Sequence, residues 1–345
     1  MRINKFIRIR RPAPNPKKYL RLHRGEFGDN FDTKKPKLDR FYPDTTDLIF
    51  KLAKFHKVSF DQIVVGLGGE SLIKDIFLWH YKKNKKPKIL KSSSNYFMYT
   101  FYSQLFNYKT FYYNINPEEK SSPSVRSIKQ LLNKNKINIL VLVNPSSPIE
   151  KNWSILEIKE ILNYCKKRKI IVVIDEVYQL LGSKSSLSLT KKYDNLIILR
   201  SLSKAFGYPG IRMGYIVSAK TLKEEIESFR LAIELPSDTI LKSNKIISKF
   251  NTIIKKNIFK TIEARKFANQ EFKKRSIKSF GKYSNSVCFK FDTLEEKSRI
   301  VSSLKKRKIL INDGFKDHLS TYASITTTNK KNVKYFFKNL DEIRR

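Results

Sequence analysis

The sequence predicts an α/β protein in which a mostly parallel central sheet is flanked by helices and followed by a smaller α+β domain. The first observation is that short apolar runs alternate with amphipathic stretches through the middle of the chain, a pattern typical of βαβ units. The second is that 40% of the 345 residues are hydrophobic, which is enough for a sizeable core. The third is that the alternation stops after about Ser237, where a long amphipathic stretch begins.

Four apolar runs are the predicted strands of the central sheet. They are Ile137–Val143, Ile170–Ile174, Leu196–Leu199 and Tyr215–Val217. Ser154 and Glu157 have the spacing of a capping box, and apolar residues follow them at helical spacing as far as Cys165. The sequence therefore predicts a helix between the first two strands, as a parallel crossover requires.

The change near Ser237 divides the chain into three predicted parts. Residues 44–240 form the large domain, residues 241–345 form the small C-terminal domain, and residues 1–43 are an N-terminal segment that joins the small domain. Within the small domain we expect a long amphipathic stretch, two strands and a final helix. These elements are Leu241–Lys274, Ser286–Phe291, Lys308–Ile311 and Lys331–Ile343.

The chain is strongly basic, with 71 Lys and Arg residues against 31 Asp and Glu and a formal net charge of +40. Such a surplus is compatible with an acidic partner such as nucleic acid. The lysines, however, are spread along the whole chain and do not concentrate in a tail, a linker or one helix. We therefore interpret the charge as a solvated surface and expect no nucleic-acid partner, with a basic nucleic-acid binder as the alternative.

Cysteine, histidine and hydropathy patterns argue against several other classes of protein. Cys165 and Cys288 are too few for a disulfide framework, and the four histidines never pair at the spacing of metal ligands. The longest apolar runs are too short to span a bilayer, and the basic start Met1–Arg11 lacks the apolar region of a signal peptide. We expect a reduced, cytoplasmic protein without a metal site or a membrane anchor.

Polar residues follow three of the predicted strands at the points where those strands end. They are Asn144, Asp175 and Ser201. In open α/β sheets, ligands bind outside the carboxyl ends of the strands. If the three strands are parallel neighbours, these residues converge at one edge of the sheet, and we expect a ligand site there.

The most informative stretch is Arg200–Gly214, which reads RSLSKAFGYPGIRMG. It places Lys204 just after an apolar strand, and a half-buried lysine can form a Schiff base with a carbonyl compound. The hydroxyls of Ser201 and Ser203 and the guanidinium of Arg212 suit a phosphate dianion. The alternative is a surface lysine in a serine-rich turn.

Two further motifs fit a phosphorylated aromatic cofactor. In IVVIDEVYQLL, a buried Asp175 at a strand end can hold a protonated pyridine nitrogen, and the Tyr178 hydroxyl can donate to a phenolate oxygen, as pyridoxal phosphate would require. The alternative is that the aspartate caps the next helix. Upstream, the turn Gly66–Gly69 precedes a helix that starts near Glu70, where exposed N–H groups can bind an anion. A glycine-rich turn by itself fits any loop.

The order of these motifs is more specific than any one of them. Along the chain it runs from the glycine-rich helix start through Tyr96, Asn144, Asp175, Tyr178 and Lys204 to Arg212. With this order the chain resembles the fold-type I pyridoxal-phosphate enzymes, specifically the histidinol-phosphate aminotransferase family, from about Leu22 to its C-terminus. The resemblance implies pyridoxal 5'-phosphate as cofactor, an amino donor and a carbonyl acceptor as substrates, and a homodimer with the active site at its interface.

The same resemblance implies a role for each matching residue. Lys204 would bond to the cofactor and shuttle protons, Asp175 would pair with the pyridine nitrogen, and Tyr178 would contact the phenolate oxygen. The phosphate would be held by Gly69, Glu70, Ser201, Ser203 and Arg212. Tyr96 would stack on the ring, and Tyr42, in RFYPD, would reach the cofactor phosphate of the neighbouring subunit. The alternative for both aromatic residues is a place in the core.

The sequence departs from the family pattern in the turn that follows the predicted strand Ile137–Val143. The family has Asn-Pro-x-Gly there, with an asparagine that contacts the phenolate oxygen, and this chain reads VNPSSPIE. The aligned position is Ser147, with Asn144 three residues earlier. A serine hydroxyl still donates one hydrogen bond, so we expect both residues near the cofactor, with the phenolate held more loosely.

The chain also departs from the family where arginines bind the substrate's anionic group. The matching stretch YASITTT has Ala323 at one arginine position, and KILINDG has Asn312 at the other. An arginine at such a place is a bidentate clamp for a carboxylate or phosphate. The two substitutions argue against histidinol phosphate as substrate, although Lys316, Lys305 or Arg307 are candidates for a replacement cation.

The sequence therefore predicts an aminotransferase with altered substrate specificity. Two alternatives stay open: a decarboxylase of a small amino acid or amino-acid phosphate on the same scaffold, and a non-catalytic basic homologue. Retention of Lys204, Asp175, Tyr178 and Arg212 argues against the second alternative.

Overall fold

The structure of the chain, a computed structural model, describes residues 41–119 and 123–344. The prediction that the N-terminal segment joins the small domain concerns residues that are almost all outside this part of the chain. Of the described helices, none is both long and apolar enough to cross a bilayer.

A seven-stranded sheet forms the centre of the larger part of the molecule. Its strands are β1 (Ile63–Leu67), β2 (Lys88–Ser92), β3 (Lys109–Tyr113), β4 (Ile139–Val143), β5 (Ile171–Asp175), β6 (Leu196–Ser201) and β7 (Met213–Ser218). They lie in the order β1-β7-β6-β5-β4-β2-β3, and only β7 runs against its neighbours. The four predicted strands are present as β4 to β7, and β4, β5 and β6 are parallel neighbours.

Helices cover both faces of this sheet. They are α1 (Thr46–His56), α2 (Gly68–Lys83), α3 (Phe97–Leu105), α4 (Val125–Lys134), α5 (Ile155–Lys167), α6 (Lys220–Glu227) and α7 (Ser237–Ser248). Buried residues of α1, α4, α5 and α7 pack on one face, and those of α2, α3 and α6 pack on the other. The predicted fold class, a mostly parallel sheet between helices, is therefore confirmed.

The predicted capping box at the start of α5 is confirmed. The Ser154 hydroxyl accepts a hydrogen bond from the Glu157 amide at 3.2 Å, and the Glu157 carboxylate accepts one from the Ser154 amide at 2.7 Å. Two N–H groups that a helix start leaves without intrahelical partners are thereby satisfied.

The C-terminal part is a smaller α+β unit. It contains α8 (Lys255–Lys274), β8 (Ser279–Phe280), β9 (Ser286–Lys290), α9 (Leu294–Lys306), β10 (Tyr322–Thr326) and α10 (Lys330–Arg344). The three strands are antiparallel in the order β10-β9-β8, and α8, α9 and α10 pack on them around a core that includes Phe272 and Phe289. Short single-turn helices complete the fold at Phe60–Gln62, Gln179–Leu181, Leu187–Lys191, Pro209–Ile211, Phe250–Ile254 and Asp317–Leu319.

The predicted amphipathic stretch Leu241–Lys274 contains most of α7 and all of α8, which the π-helical turn Phe250–Ile254 separates. One prediction in this part needs correction. The predicted strand Lys308–Ile311 is wrong: of this region only Asn312 pairs with β10, through a single bridge to Ser324. Lys308 has a left-handed backbone (φ 63°), and the amides of Lys308 and Ile309 bond back to carbonyls of α9, so the run begins as the end of that helix.

Two carboxylates of the larger part hold the smaller unit. Glu150 accepts hydrogen bonds from three consecutive backbone amides, those of residues 282–284, at 2.5 to 3.1 Å. Glu118 accepts hydrogen bonds from Lys278, Lys290 and the Tyr322 hydroxyl at 2.7 to 3.1 Å. Both contacts fix the smaller unit beside the carboxyl ends of the central strands.

Candidate active site

A cavity of about 720 Å³ opens at the carboxyl ends of β4, β5 and β6. The start of α2, the turn before α3 and the segment 312–319 of the smaller unit complete its wall. Of the residues proposed from sequence, it brings together Gly69, Glu70, Tyr96, Ser147, Asp175, Tyr178, Ser201, Ser203, Lys204 and Arg212.

Lys204 lies three residues after the end of β6, in a turn closed by a hydrogen bond from the Gly207 amide to its carbonyl. Its Nζ is 6.0 Å from the centre of the Tyr178 ring. The sequence predicted a half-buried lysine, and the structure corrects this: Lys204 is exposed. The turn that carries it borders a second opening as well as the first cavity, so the amine is reachable by a small molecule.

Asp175 is the last residue of β5 and is 4% exposed. One carboxylate oxygen accepts a hydrogen bond from the Tyr99 hydroxyl at 2.8 Å, and the other accepts one from the Val177 amide at 3.1 Å. Burial raises the pKa of this carboxyl to about 6, although both hydrogen bonds favour its ionised form. Asp175 does not cap the next helix, whose N-cap is Tyr178, and its carboxylate borders the cavity.

A candidate anion site lies where α2 begins. Gly68 has a left-handed backbone (φ 75°), and a Cβ there would stand 3.0 Å from the Arg212 guanidinium. A Cβ on Gly214 would stand 2.5 Å from the Gly68 backbone, so β7 can approach this turn only through a glycine. The guanidinium of Arg212 lies 3.8 Å from the carboxylate of Glu70.

Two serines after β6 complete this anion site. The Ser203 amide donates to the Ser201 hydroxyl at 3.0 Å, and the two hydroxyls lie 2.9 Å apart. The N–H groups at the start of α2, the two hydroxyls and Arg212 are all donors, which is the composition that a phosphate requires.

Two tyrosines from different segments of the chain border the cavity. Burial raises the pKa of Tyr178 to about 12, so its hydroxyl keeps its proton at neutral pH, and a hydrogen bond joins it to the Ser147 side chain. Tyr96 precedes α3, and the residue is 45% exposed. A half-exposed aromatic ring beside a cavity is available for stacking on a flat ligand.

Two residues proposed from sequence do not line the cavity. Asn144 is fully buried, and its amide group donates to and accepts from the Trp153 backbone at 3.1 and 2.8 Å. It therefore closes the loop that carries Ser147, which corrects the expectation of a cofactor contact. Tyr42 borders neither cavity of its own chain, and its ring is 50% exposed.

The residues at the two arginine positions differ in placement. Ala323 is fully buried in the core of the smaller unit, whereas its neighbour Ser324 faces the second opening, together with Asn312. Of the candidate replacement cations, Lys316 borders the first cavity. Arg307 instead donates to Asn339 and pairs with Glu342, and Lys305 is an exposed residue of α9; neither of them lines either opening.

Sequence reasoning missed two residues of this site. Tyr99 is fully buried and donates to Asp175, but in the sequence it is one of several aromatic residues of α3. His318 borders the cavity from the smaller unit, yet no motif surrounds it. The signal that could have found Tyr99 is its position three residues after Tyr96, in the first turn of the helix that Tyr96 precedes.

Comparison with known proteins agrees with this geometry. A family model described as aminotransferase class I and II matches residues 33–340. A histidinol-phosphate aminotransferase of Clostridium botulinum (strain Langeland) is 27% identical over 310 residues, which are 88% of this chain and 84% of that protein.

Solved structures share the fold. The histidinol-phosphate aminotransferase of Sinorhizobium meliloti, in complex with pyridoxal-5'-phosphate, aligns with a TM-score of 0.79 at 16% identity, over 88% of this chain and 82% of that one. The enzyme from Clostridium acetobutylicum aligns with a TM-score of 0.76 at 21% identity, over 89% and 91%.

Proposed function

The chain belongs to the class I and II aminotransferases, and from this membership we propose that it is a pyridoxal 5'-phosphate-dependent enzyme that moves an amino group from an amino donor to a small carbonyl acceptor. The observation that carries the proposal is the single cavity that joins the exposed amine of Lys204, the buried carboxylate of Asp175 and the anion site around Arg212.

The residues present fit this cofactor. The donors around Arg212 match its phosphate, and Gly68 keeps that site free of a Cβ that would press on the guanidinium. The buried carboxylate of Asp175 suits a protonated pyridine nitrogen, which would be its cationic partner. When bound, the cofactor supplies an electron sink for the charge that develops at the substrate α-carbon.

The side chains of this chain would divide the remaining work. The amine of Lys204 would take the proton from the substrate α-carbon and hold it on Nζ for the return step, because it is an amine exposed to the cavity. The Tyr178 hydroxyl would donate a hydrogen bond to the phenolate oxygen, and its bond to Ser147 would restrain its direction. The ring of Tyr96 would lie against the cofactor and restrict the access of water.

The substrates are proposed to differ from those of the named relatives. Neither Asn312 nor Ala323 carries a charge, and Ala323 does not face the cavity at all. Histidinol phosphate is therefore not the expected substrate, because its phosphate would lack a bidentate partner at these positions.

We also propose a homodimer in which Tyr42 reaches the cofactor site of the partner subunit. Support comes from exposed apolar side chains on α3 beside the cavity mouth: Phe97, Phe101 and Leu105 are 67%, 48% and 56% exposed and recur every four residues. Such a stripe usually marks an interface. Sedimentation analysis should give twice the 40.6 kDa chain mass, and Phe101→Glu with Leu105→Glu should give the monomer; a monomeric wild type would contradict the proposal.

The decisive experiment is the visible absorption spectrum of the purified protein with pyridoxal phosphate. We expect an absorption band that is absent from Lys204→Ala and that glutamate or another amino donor bleaches with release of a keto acid. Release of carbon dioxide with the band retained would instead indicate a decarboxylase. A wild type without any Lys204-dependent band would indicate a non-catalytic homologue.

A further inference from the structure

A second cavity of about 840 Å³ lies on the other side of Lys204, between the turn 203–209 and the smaller unit. It shares Lys204, Tyr178, Ser147 and Asn312 with the first cavity, so one molecule can extend from one into the other. No role proposed above for the cofactor uses its far wall, which α8, β9 and β10 provide.

This second cavity is almost free of charge. In a chain where 71 of 345 residues are Lys or Arg, its lining contains only Lys204 and Lys260, and no Asp or Glu, within the described residues. Lys260 is exposed on α8. The far wall otherwise consists of amides and hydroxyls, among them Asn257, Thr261, Ser286, Asn312, Ser324 and Thr326.

Asn312 and Ser324 form the fixed centre of this wall. Their backbones exchange two hydrogen bonds, at 3.0 and 2.8 Å, and the Asn312 amide donates to the Ser324 hydroxyl at 3.3 Å. Ser324 is 4% exposed, whereas Asn312 is exposed to the cavity. The pair therefore presents an amide oxygen and a hydroxyl whose positions the backbone bridge restrains.

Amides and hydroxyls both donate and accept hydrogen bonds, as the hydroxyl groups of a ligand do. A carboxylate or phosphate only accepts hydrogen bonds, so it would leave the acceptor atoms of this wall, the Asn312 amide oxygen among them, without donors. Resting on the proposed transaminase function, we propose that the second cavity binds the non-reacting part of one substrate and that this part is uncharged and polyhydroxylated, as in an amino sugar or its keto form.

The test uses the cofactor-loaded enzyme and follows bleaching of its Lys204-dependent band by two kinds of amine. Glutamate tests the transaminase function alone. A set of monoamino hexoses, which differ in the position of the amine, tests the second cavity. We expect at least one hexosamine to bleach the band; bleaching by glutamate with no response to any hexosamine would overturn this inference and leave the transaminase function standing.

Variants of the wall sharpen the result. Asn312→Ala should raise KM for the reactive hexosamine about tenfold with little change in kcat, because the residue binds a part of the substrate that does not react. Asn332→Ala, an exposed asparagine of α10 outside the cavity, is the matched control.

The reciprocal variant introduces a cation. Asn312→Arg should lower the kcat/KM for the hexosamine and raise that for histidinol phosphate, each about tenfold, since a guanidinium pairs with phosphate. If wild type instead prefers histidinol phosphate, or if Asn312→Ala leaves the hexosamine reaction unchanged, the proposed substrate class is wrong.

Discussion

Asp175 and Glu176 are neighbours in the chain, and both are buried, at 4% and 2% exposure. Asp175 borders the cavity and receives its hydrogen bonds from a tyrosine hydroxyl and a backbone amide. Glu176 lies on the opposite side of the strand end, where its carboxylate is 2.6 Å from the Arg200 guanidinium and accepts further bonds from Ser185 and Ser186.

The register of the sheet explains this difference. Asp175 pairs with Leu199, so these two side chains lie on the same face of the sheet. Because side chains alternate along a strand, Ser201 shares the face of Asp175, whereas Arg200 shares the opposite face with Glu176. On the second face, Tyr215 bonds to Arg200 and to His56, whose pKa burial lowers to about 3. The Glu176 carboxylate is structural because it already pairs with a buried cation. The Asp175 carboxylate borders the cavity, so it is available to bind a cationic group of a ligand.

The largest effect is expected from a variant that breaks the ion pair between Arg200 and Glu176. Arg200→Met leaves the Glu176 carboxylate buried without its cation, and we expect the free energy of unfolding to fall by about 3–5 kcal/mol. Urea unfolding of the cofactor-free protein measures this loss. Adding Glu176→Gln should recover part of it; a loss below about 1 kcal/mol in Arg200→Met would show that the ion pair matters little.

The second prediction concerns Asp175→Asn, which should lower kcat about 10²–10³-fold, as loss of a buried electrostatic partner does. In the cofactor-free protein, by contrast, the same substitution should increase stability above pH 6. Because the folded-state pKa is raised to about 6, the stability that protonation provides is present below the unfolded value and is lost as pH rises through about 6. Thermal unfolding above pH 6 should therefore occur at a higher temperature in the variant than in wild type.

A smaller effect is expected from Tyr99→Phe, which removes the hydroxyl that donates to Asp175. Loss of that bond should raise the pKa of Asp175 further, by about 0.5–1 pH unit, because the ionised form loses a donor. The pH at which the cofactor-free protein stops losing stability should move upward by this amount. Tyr164→Phe, whose hydroxyl donates to the Lys129 carbonyl away from the cavity, is the control and should leave that pH unchanged.

The smallest effect is expected at Glu118, which is half-exposed between the two parts of the molecule. Its contacts with Lys290, Tyr322 and Lys278 lower its pKa to about 2, so its contribution is present above the unfolded pKa and is lost as pH falls through about 2. Glu118→Gln should lower Tm by about 1–3 °C at neutral pH. A difference from wild type that persists unchanged at pH 2 would contradict this explanation.

The sequence predicts best what local chemistry determines. The apolar runs of β4 to β7 and the capping box at Ser154 depend on nearby residues, and the structure has them. The order of motifs also identifies most residues of the first cavity, because carboxyl ends of neighbouring parallel strands must meet.

Tertiary contacts determine what the sequence could not predict. Asn144 has the residue type of a ligand contact, but the Trp153 backbone occupies both of its polar atoms. The exposure of Lys204 depends on the turn it shares with the second cavity, and the partnership of Tyr99 with Asp175 joins residues far apart in the chain. The run Lys308–Ile311 has the composition of a strand, but its first two residues bond back to α9, and only Asn312 after it pairs with β10.

The contact of Glu150 with residues 282–284 has a consequence for how the molecule tolerates substitution. Its three donors are main-chain amides, so no exchange of the side chains of Lys282, Tyr283 or Ser284 removes them, proline excepted. On the other side, everything rests on one carboxylate. The contact therefore survives a change of any of these three side chains other than to proline, but almost any change at Glu150 removes it.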